Sequence, residues 1–333
     1  VLFRRTPKSD AGHGHGNGAA NRGDAAQPGQ PPAAARRGRV QKWTDRNFLT
    51  EVLIPSLFKR RAGETHKPTF PTLKEGELAI TWIGHASFLI QTCGGPHGGG
   101  GRGLNIIIDP NWANWLVVIR RLRRAGFEIE HLPTIDLVLV THAHFDHLNR
   151  RSLRRIAARQ PIIVPHGVGN LVHDLGFERV HELRWWEEIT FRKFKITFTP
   201  AKHWGARTLT DKHRGYGGFM IETPTGRRIY HCGDSAYFDG FREIGERLRP
   251  EIALMPIGNY EPPSGRDVHM GPEEALRAYQ ELGAQQFIPM HFGTYPMSYE
   301  PMDEPAERLL VHGAREGLLQ QIKILTEGMP EVF

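Results

Sequence analysis

Four side chains able to bind a metal fall within six residues, in the run His142-Ala-His144-Phe-Asp146-His147. The preceding stretch, Asp136-Leu-Val-Leu-Val-Thr141, reads as a buried strand, so the ligands occupy a loop at a strand's end, ahead of a helix starting near Ser152. Neutral imidazoles and carboxylates suit Zn²⁺ and its borderline neighbours, and four of them in so short a loop cannot comfortably close on one ion. Two adjacent ions share them more easily. Three later segments each place a His or Asp just after a predicted strand: Pro200-Ala-Lys-His203-Trp204, His231-Cys-Gly-Asp234 and Pro289-Met-His291-Phe-Gly293. Together they complete a dinuclear site for two divalent cations, Zn²⁺ first, with Fe or Mn as alternatives.

Two ions roughly 3.5 to 4 Å apart lower the pKa of a bound water and stabilise attacking and leaving oxygens in line, which suits hydrolysis of a phosphodiester by a metal-bridged hydroxide. Asp146 and Asp234 are candidates for orienting that water or relaying its proton. A covalent serine-hydrolase route is not required, and no Gly-x-Ser-x-Gly elbow is present. His85, after Gly84 at a strand end, has packing, an outer hydrogen bond or a substrate contact open to it and is left outside the site. The run Gly94 to Gly101 lacks the Gly-Lys-Ser/Thr ending of a phosphate loop and leads into a strand, so it reads as a flexible hairpin loop. His97 within it, and His13 and His15 near the start, are not taken as ligands.

The elements that must position these residues are short β runs: Leu78 to Ile83, Ser87 to Thr92, Leu104 to Ile108, Leu137 to Thr141, Ile162 to Val164, Lys195 to Thr199, Gly218 to Glu222, Arg228 to Cys232, Ile252 to Pro256 and Phe287 to Met290. Helical patterns separate several of them: Ser152 to Arg159, Val168 to Leu175, Gly240 to Leu248 and Pro272 to Leu282. Some β runs follow one another directly as hairpins and others are separated by helices. The expectation is an α/β fold of two mixed sheets stacked face to face, with helices covering both.

Hydrophobic residues make up 39% of the 333 and occur in short runs, none near the ~20 apolar residues of a membrane-spanning helix. The two cysteines, Cys93 and Cys232, form no Cys-x-x-Cys pair, which suits a reducing, cytoplasmic compartment. No signal-peptide pattern follows Arg4 and Arg5. Of 43 Lys/Arg and 36 Asp/Glu, residues 1–65 hold 12 and 5, so the remainder balances at 31 each. The excess of +7 thus sits at the start, where residues 1–42 read as a disordered basic tail rich in Gly, Ala and Pro. A helical extension is expected over 43–76, with Thr44 or Asp45 as N-cap and Pro55 kinking it, and the hydrolase domain over 77–333.

Trp112, Trp115, Leu116, Ile119 and Leu122 have helical spacing, with Arg120, Arg121, Arg123 and Arg124 crowding the end. Such a helix either packs on the domain or lies in a membrane interface with its arginines on anionic lipid. Arg150, Arg151, Arg154, Arg155 and Arg159 form a second basic run, either a solvated face or a rim that attracts phosphate.

The strand-anchored His-x-His-x-Asp-His element with its downstream partners resembles the metallo-β-lactamase superfamily over about residues 78 to 295. That resemblance implies a four-layer αββα sandwich. It implies that His142, His144 and His203 hold one metal, Asp146, His147 and His291 the other, and that Asp234 bridges them. Further segments resemble the branch of N-acyl-phosphatidylethanolamine-hydrolysing phospholipases D: Thr81-Trp-Ile-Gly-His85-Ala86, Leu132-Pro-Thr-Ile-Asp136, Trp185-Trp186-Glu187, Arg207-Thr208-Leu209, Pro256-Ile-Gly-Asn-Tyr260-Glu261-Pro262 and His269-Met-Gly-Pro-Glu-Glu274-Ala275. By that resemblance His269 lies near the metals and handles substrate. The substrate is then a phospholipid, met by peripheral contact with an anionic membrane and split into phosphatidic acid and an acylethanolamine. A sugar-phosphate lactonase is the competing enzyme reading. A nuclease or nucleic-acid binder is disfavoured, because few aromatics interleave with the basic tail.

Overall fold

The computed structural model describes residues 4–5, 46–93, 103–208 and 210–333. Most of the basic tail with His13 and His15, Trp43 with Thr44 and Asp45, the Gly94 to Gly101 loop with His97, and Leu209 lie outside the described residues.

Alternation of apolar side chains along consecutive strands builds two sheets. In the first, Leu78–Gly84, Ser87–Thr92 and Asn105–Ile108 pair antiparallel in succession. Leu137–Leu139, Ile162–Pro165 and Val180–Leu183 then continue it in parallel, and Pro330–Val332 closes the other edge against Leu78–Gly84. Both faces of this sheet are buried, which explains its near-continuous apolar runs. Ile80, Trp82, Phe88, Ile90, Ile106, Ile108, Leu137 and Leu139 join one core with Phe198, Phe219 and Ile221 of the second sheet. Their sequence neighbours Ile83, Leu89, Ile107, Val138, Ile162 and Val164 form another with Leu153 of helix Arg150–Ile156. Burying each such side chain is worth about 1.5–3 kcal/mol.

The second sheet runs Glu188–Phe191, Phe194–Thr199, Gly218–Glu222 and Arg228–His231 antiparallel, then Ile252–Pro256 and Gln286–Met290 parallel. The backbone of residues 4–5 pairs with Ile189 and Thr190 at its outer edge. Helices Gly240–Leu248 and Pro272–Leu282 insert Phe241, Ile244, Leu276 and Tyr279 into its core, completing the αββα layering. Pro272 opens its helix without forfeiting a hydrogen bond, Glu274 accepts from the Gly271 N–H at 2.9 Å, and Gly283 ends it at φ 64°.

Three local expectations differ. The segment from Trp112 to Arg124 is no helix: Trp115–Leu116 and Ile119–Arg120 form a small antiparallel hairpin, its turn at Val117 in the left-handed region (φ 53°). Leu116 and Leu122 are buried while Val117 and Val118 project outward, so the helical spacing comes from a hairpin with one buried side. Val168 to Leu175 contains one short turn, Gly169–Leu171. Near the start, Asn47 accepts from the N–H groups of Leu49 and Thr50, while the expected caps Thr44 and Asp45 lie outside the described residues. The segment then runs as a wide turn over Leu49–Leu53 and a short helix Ile54–Phe58, in which Pro55 sits in the first turn, where it costs nothing.

One consequence of the pairing positions the site. Leu78–Gly84, Asn105–Ile108 and Leu137–Leu139 point the same way in the first sheet, as do Phe194–Thr199, Arg228–His231 and Gln286–Met290 in the second. The segments carrying His85, Asp109, His142 to His147, His203, Asp234 and His291 therefore all leave strand C-termini, and the side chains meet at one end of the sandwich.

Candidate metal centre

Three imidazole nitrogens converge first: His142 Nε2 and His144 Nδ1 are 2.9 Å apart, and His203 Nε2 is 3.3 Å from the same His144 nitrogen. Zn–N bonds of about 2.0–2.1 Å in a tetrahedron put ligand atoms roughly 3.3 Å from one another, so this spacing suits three ligands of one ion. Asp234 Oδ2 supplies the fourth corner, 3.7 Å from His142 Nε2 and 3.8 Å from His203 Nε2.

Beside it Asp146 Oδ2 lies 3.4 Å from His147 Nε2 and 3.3 Å from His291 Nε2. Asp234 Oδ2 belongs here too, at 3.2 Å from His147 Nε2 and 3.0 Å from His291 Nε2. A single carboxylate oxygen thus stands at the common corner of two ligand groups able to hold two divalent ions. Burial fits that occupancy. His147 Nε2 and Asp234 Oδ1 are buried with no hydrogen-bond partner among the described residues, a costly state that a cation between them relieves.

His269 joins Asp234 and His291, its Nδ1 3.9 Å from Asp234 Oδ2 and its ring stacked on His291 at 5.3 Å.

Residues 104–292 match the family model described as a beta-lactamase superfamily domain. The chain belongs to the metallo-β-lactamase superfamily. Among curated superfamily relatives, it is 33% identical over 285 residues to N-acyl-phosphatidylethanolamine-hydrolyzing phospholipase D 1 of Caenorhabditis elegans, covering 78% of this chain and 76% of that one. It is 31% identical over 257 residues to a UPF0173 metal-dependent hydrolase of Rubrobacter xylanophilus, covering 76% and 96%. Among solved structures, a metallo hydrolase from the archaeon Ignicoccus hospitalis superposes with a TM-score of 0.58 at 25% identity, over 77% of this chain and 98% of that one. The chain is accordingly a metal-dependent hydrolase whose buried His/Asp clusters are consistent with a dinuclear metal site.

In this superfamily member an outer layer of hydrogen bonds fixes the ring orientations, and sequence reading missed most of it. Asp109, at φ 44°, bonds His147 Nδ1 at 2.7 Å while accepting from the backbone N–H and hydroxyl of Thr141. The carboxylate holds Nδ1–H and leaves Nε2 facing the centre. The carbonyl of Val268 does the same for His203 Nδ1 at 2.8 Å. Arg207 donates to the carbonyls of Ala143 and Leu148, clamping both ends of the ligand loop. His85, set aside at first, lies inside the cluster with Nε2 2.8 Å from Asp146 Oδ2. Its backbone carbonyl accepts from His291 N–H, and both residues adopt positive φ, 56° and 61°. The signal available was Gly84-His85 at the end of a strand; its contact with Asp146 spans 61 positions.

The charge distribution calls for cations. Burial disfavours charge on every group here, and for His142, His144, His203 and His269 it prevails, keeping these imidazoles neutral, with His144 lowered to about 4. Burial pushes the other way on Asp146 and Asp234, yet the positive charge of His147 and the closeness of the His291 imidazole hold both carboxyls well below their ordinary value. Burial is likewise outweighed at His147 and His291, where Asp234 and Asp146 raise the imidazoles, His291 to about 9. Without metal, protons on these two rings offset the carboxylates; metal binding must displace them.

Proposed function

We propose that this chain hydrolyses the phosphodiester of an N-acyl-phosphatidylethanolamine-like phospholipid, releasing phosphatidic acid and an N-acylethanolamine. The observation that carries the reading is Asp234 Oδ2 as common corner of two ligand groups, 3.0 Å from His291 Nε2 and 3.7 Å from His142 Nε2. Two divalent ions bound there would supply positive charge against the attacking and leaving oxygens, the requirement of a diester displacement. Water adds across the ester: its oxygen goes to phosphorus, the bond from phosphorus to the ethanolamine oxygen breaks, and that oxygen takes up a proton.

The chain's own residues divide the remaining work. Asp146, held by His85, and Asp234 orient the reacting water and accept its proton, and His269 lies where a substrate oxygen would enter beside Asp234. Trp204, 50% exposed with its ring 4.3 Å from that of His144, and exposed Phe145 give the centre an apolar rim suited to acyl chains. The lipid class is supported by the Caenorhabditis elegans relative and by the mitochondrial N-acyl-phosphatidylethanolamine-hydrolyzing phospholipase D of Saccharomyces cerevisiae, 32% identical over 265 residues. Contact with a membrane surface is part of the reading. Exposed Phe58 and Leu57 stand beside exposed Trp115, Val117 and Val118, because Arg120 donates to the carbonyls of Ser56, Leu57 and Lys59. Among the described residues no helix is long and apolar enough to cross a membrane.

The test is phosphatidic acid release from N-acyl-phosphatidylethanolamine in mixed micelles by the zinc-loaded chain and by Asp146→Asn. Release that vanishes in the variant supports the reading; an undiminished variant sinks it.

A further inference from the structure

A cavity of about 470 Å³ opens between the segment beginning at Trp112, helix Arg150–Ile156 and the extended chain around Arg61. None of its lining residues belongs to the metal-ligand groups. Arg121 on its wall donates to the Tyr295 hydroxyl, and the Tyr295 ring lies between it and His85, 5.2 Å from the imidazole. The cavity is thus a neighbour of the metal centre, separated from it by packed side chains.

Its wall is cationic. Arg61, Arg121, Arg124, Arg151 and Arg155 line it, against Glu128 as the carboxylate. Arg155 pairs with Glu130, but among the described residues no carboxylate pairs with Arg61, Arg121, Arg124 or Arg151. Arg121 is 1% exposed and acts here as a fixed charge, its guanidinium bonded to Asn111, Arg123 and Tyr295 and packed against Gly84, whereas the buried Nε of Arg61 finds no hydrogen-bond partner. Guanidinium groups cannot shed their protons to escape such a setting, so the site is a cluster of like charges with unused donors. Burial and the charges of Arg120, Arg121 and Arg124 all weigh against the charged form of Arg61. An anion with several acceptor oxygens relieves both penalties at once.

Volume and lining narrow the anion. The cavity falls in the size range of small-molecule sites, roughly 300–1,000 Å³, and exceeds what a bare phosphate fills. Trp115 supplies an aromatic wall for whatever the phosphate carries. We infer that this cavity is a binding site, distinct from the metal centre, for a phosphate ester, the phosphate held by Arg61 and Arg151 beside the buried charge of Arg121, with its organic part against Trp115. Guanidinium forks match phosphate oxygens in geometry as well as charge. Such a phosphate ester has two sources, a soluble metabolite or the headgroup of an anionic lipid.

The experiment compares the full, metal-loaded chain with Arg61→Gln/Arg151→Gln. Glycerol 3-phosphate binding is read by calorimetry, and vesicle binding by co-sedimentation with phosphatidylcholine alone or with added phosphatidic acid. Each charged hydrogen bond removed should weaken binding roughly tenfold or more. Loss of glycerol 3-phosphate binding alone identifies a soluble phosphate ester, and loss of the phosphatidic-acid-dependent vesicle binding identifies a lipid headgroup. Either upholds the site. Binding of both at wild-type strength overturns it, as does a wild-type chain that binds neither. Metal content and unliganded melting temperature of the variant should equal those of wild type. If the double variant melts early, Arg151→Gln alone, at an exposed position, gives the same reading. Phosphodiester turnover enters nowhere in this comparison, so its outcome is independent of the proposed reaction.

Discussion

His85 Nε2 lies 2.8 Å from Asp146 Oδ2, the oxygen that faces His147 and His291 across the metal centre. Both side chains are buried, so the contact acts in a medium of low effective dielectric. It holds the carboxylate in the one orientation that points Oδ2 at both imidazoles.

Replacing His85 by Ala should therefore weaken metal binding about 10- to 100-fold, the scale of an outer hydrogen-bond partner, and lower the stability of the loaded chain by about 1.5–3 kcal/mol. His85→Gln, which keeps a donor, should recover part of both. Competition titration with a zinc chelator reads the first effect and thermal melting the second. Equal zinc affinity in His85→Ala and wild type would remove His85 from the centre.

Asp109 fixes the His147 tautomer through its 2.7 Å contact with Nδ1. Asp109→Asn keeps the volume but offers one acceptor oxygen where the carboxylate serves His147 and Thr141 together. Zinc affinity should fall about 10- to 100-fold, with little change in the αββα fold by circular dichroism. An unchanged affinity would show that His147 needs no outer partner.

Metal loading should depend on pH in a defined window. In the metal-free chain His291 is raised to about 9 and His147 is raised as well, so the stability they contribute is fully present below the unfolded value near 6.5. It is lost as pH climbs through 9. His142, His144, His203 and His269, all lowered, are neutral in the folded chain with or without metal, so the slope they give near the unfolded value is common to both forms and cancels in the comparison. The melting-temperature difference between zinc-loaded and metal-free chain should therefore widen from pH 6.5 to 9, with proton release on binding that shrinks over the same range. A difference that narrows as pH rises contradicts the assignment of protons to His147 and His291.

Gly233 precedes Asp234 with φ 66°, and a Cβ there would fall 2.5 Å from the Gly217 carbonyl oxygen. Gly233→Ala combines an unfavourable backbone region with a backbone clash and should destabilise by roughly 1–3 kcal/mol. It should also shift the shared carboxylate, so that metal binding falls further than the melting temperature alone implies. Chelator titration at a temperature where the variant is fully folded separates the two effects.

Much of this architecture was legible because burial on both faces of a sheet writes long apolar runs between turn residues. Ser87–Thr92, Gly218–Glu222, Ile252–Pro256 and helix Pro272–Leu282 fall where the sequence places them. Val180–Leu183 does not stand out, since Val-His-Glu-Leu at a sheet edge is only partly buried and carries no alternation to read. The Trp115 hairpin misled because residues two to four apart on short paired strands can share a buried side as they do on a helix turn. At the site, the ligands announce themselves by chemistry and by their place after strands. Asp109, His85 and the Val268 carbonyl matter only through contacts spanning 38, 61 and 65 positions, which local pattern does not encode.

The proposed hydrolysis of N-acyl-phosphatidylethanolamine requires both ligand groups that share Asp234. The direct measurement is a titration of the metal-free chain with Zn²⁺ while phosphatidic acid release is followed. Release that rises with the second equivalent of zinc, and is lost in Asp234→Asn, is the predicted result. Full release at one equivalent, or no phosphatidic acid with both sites loaded, would rule out the proposed reaction.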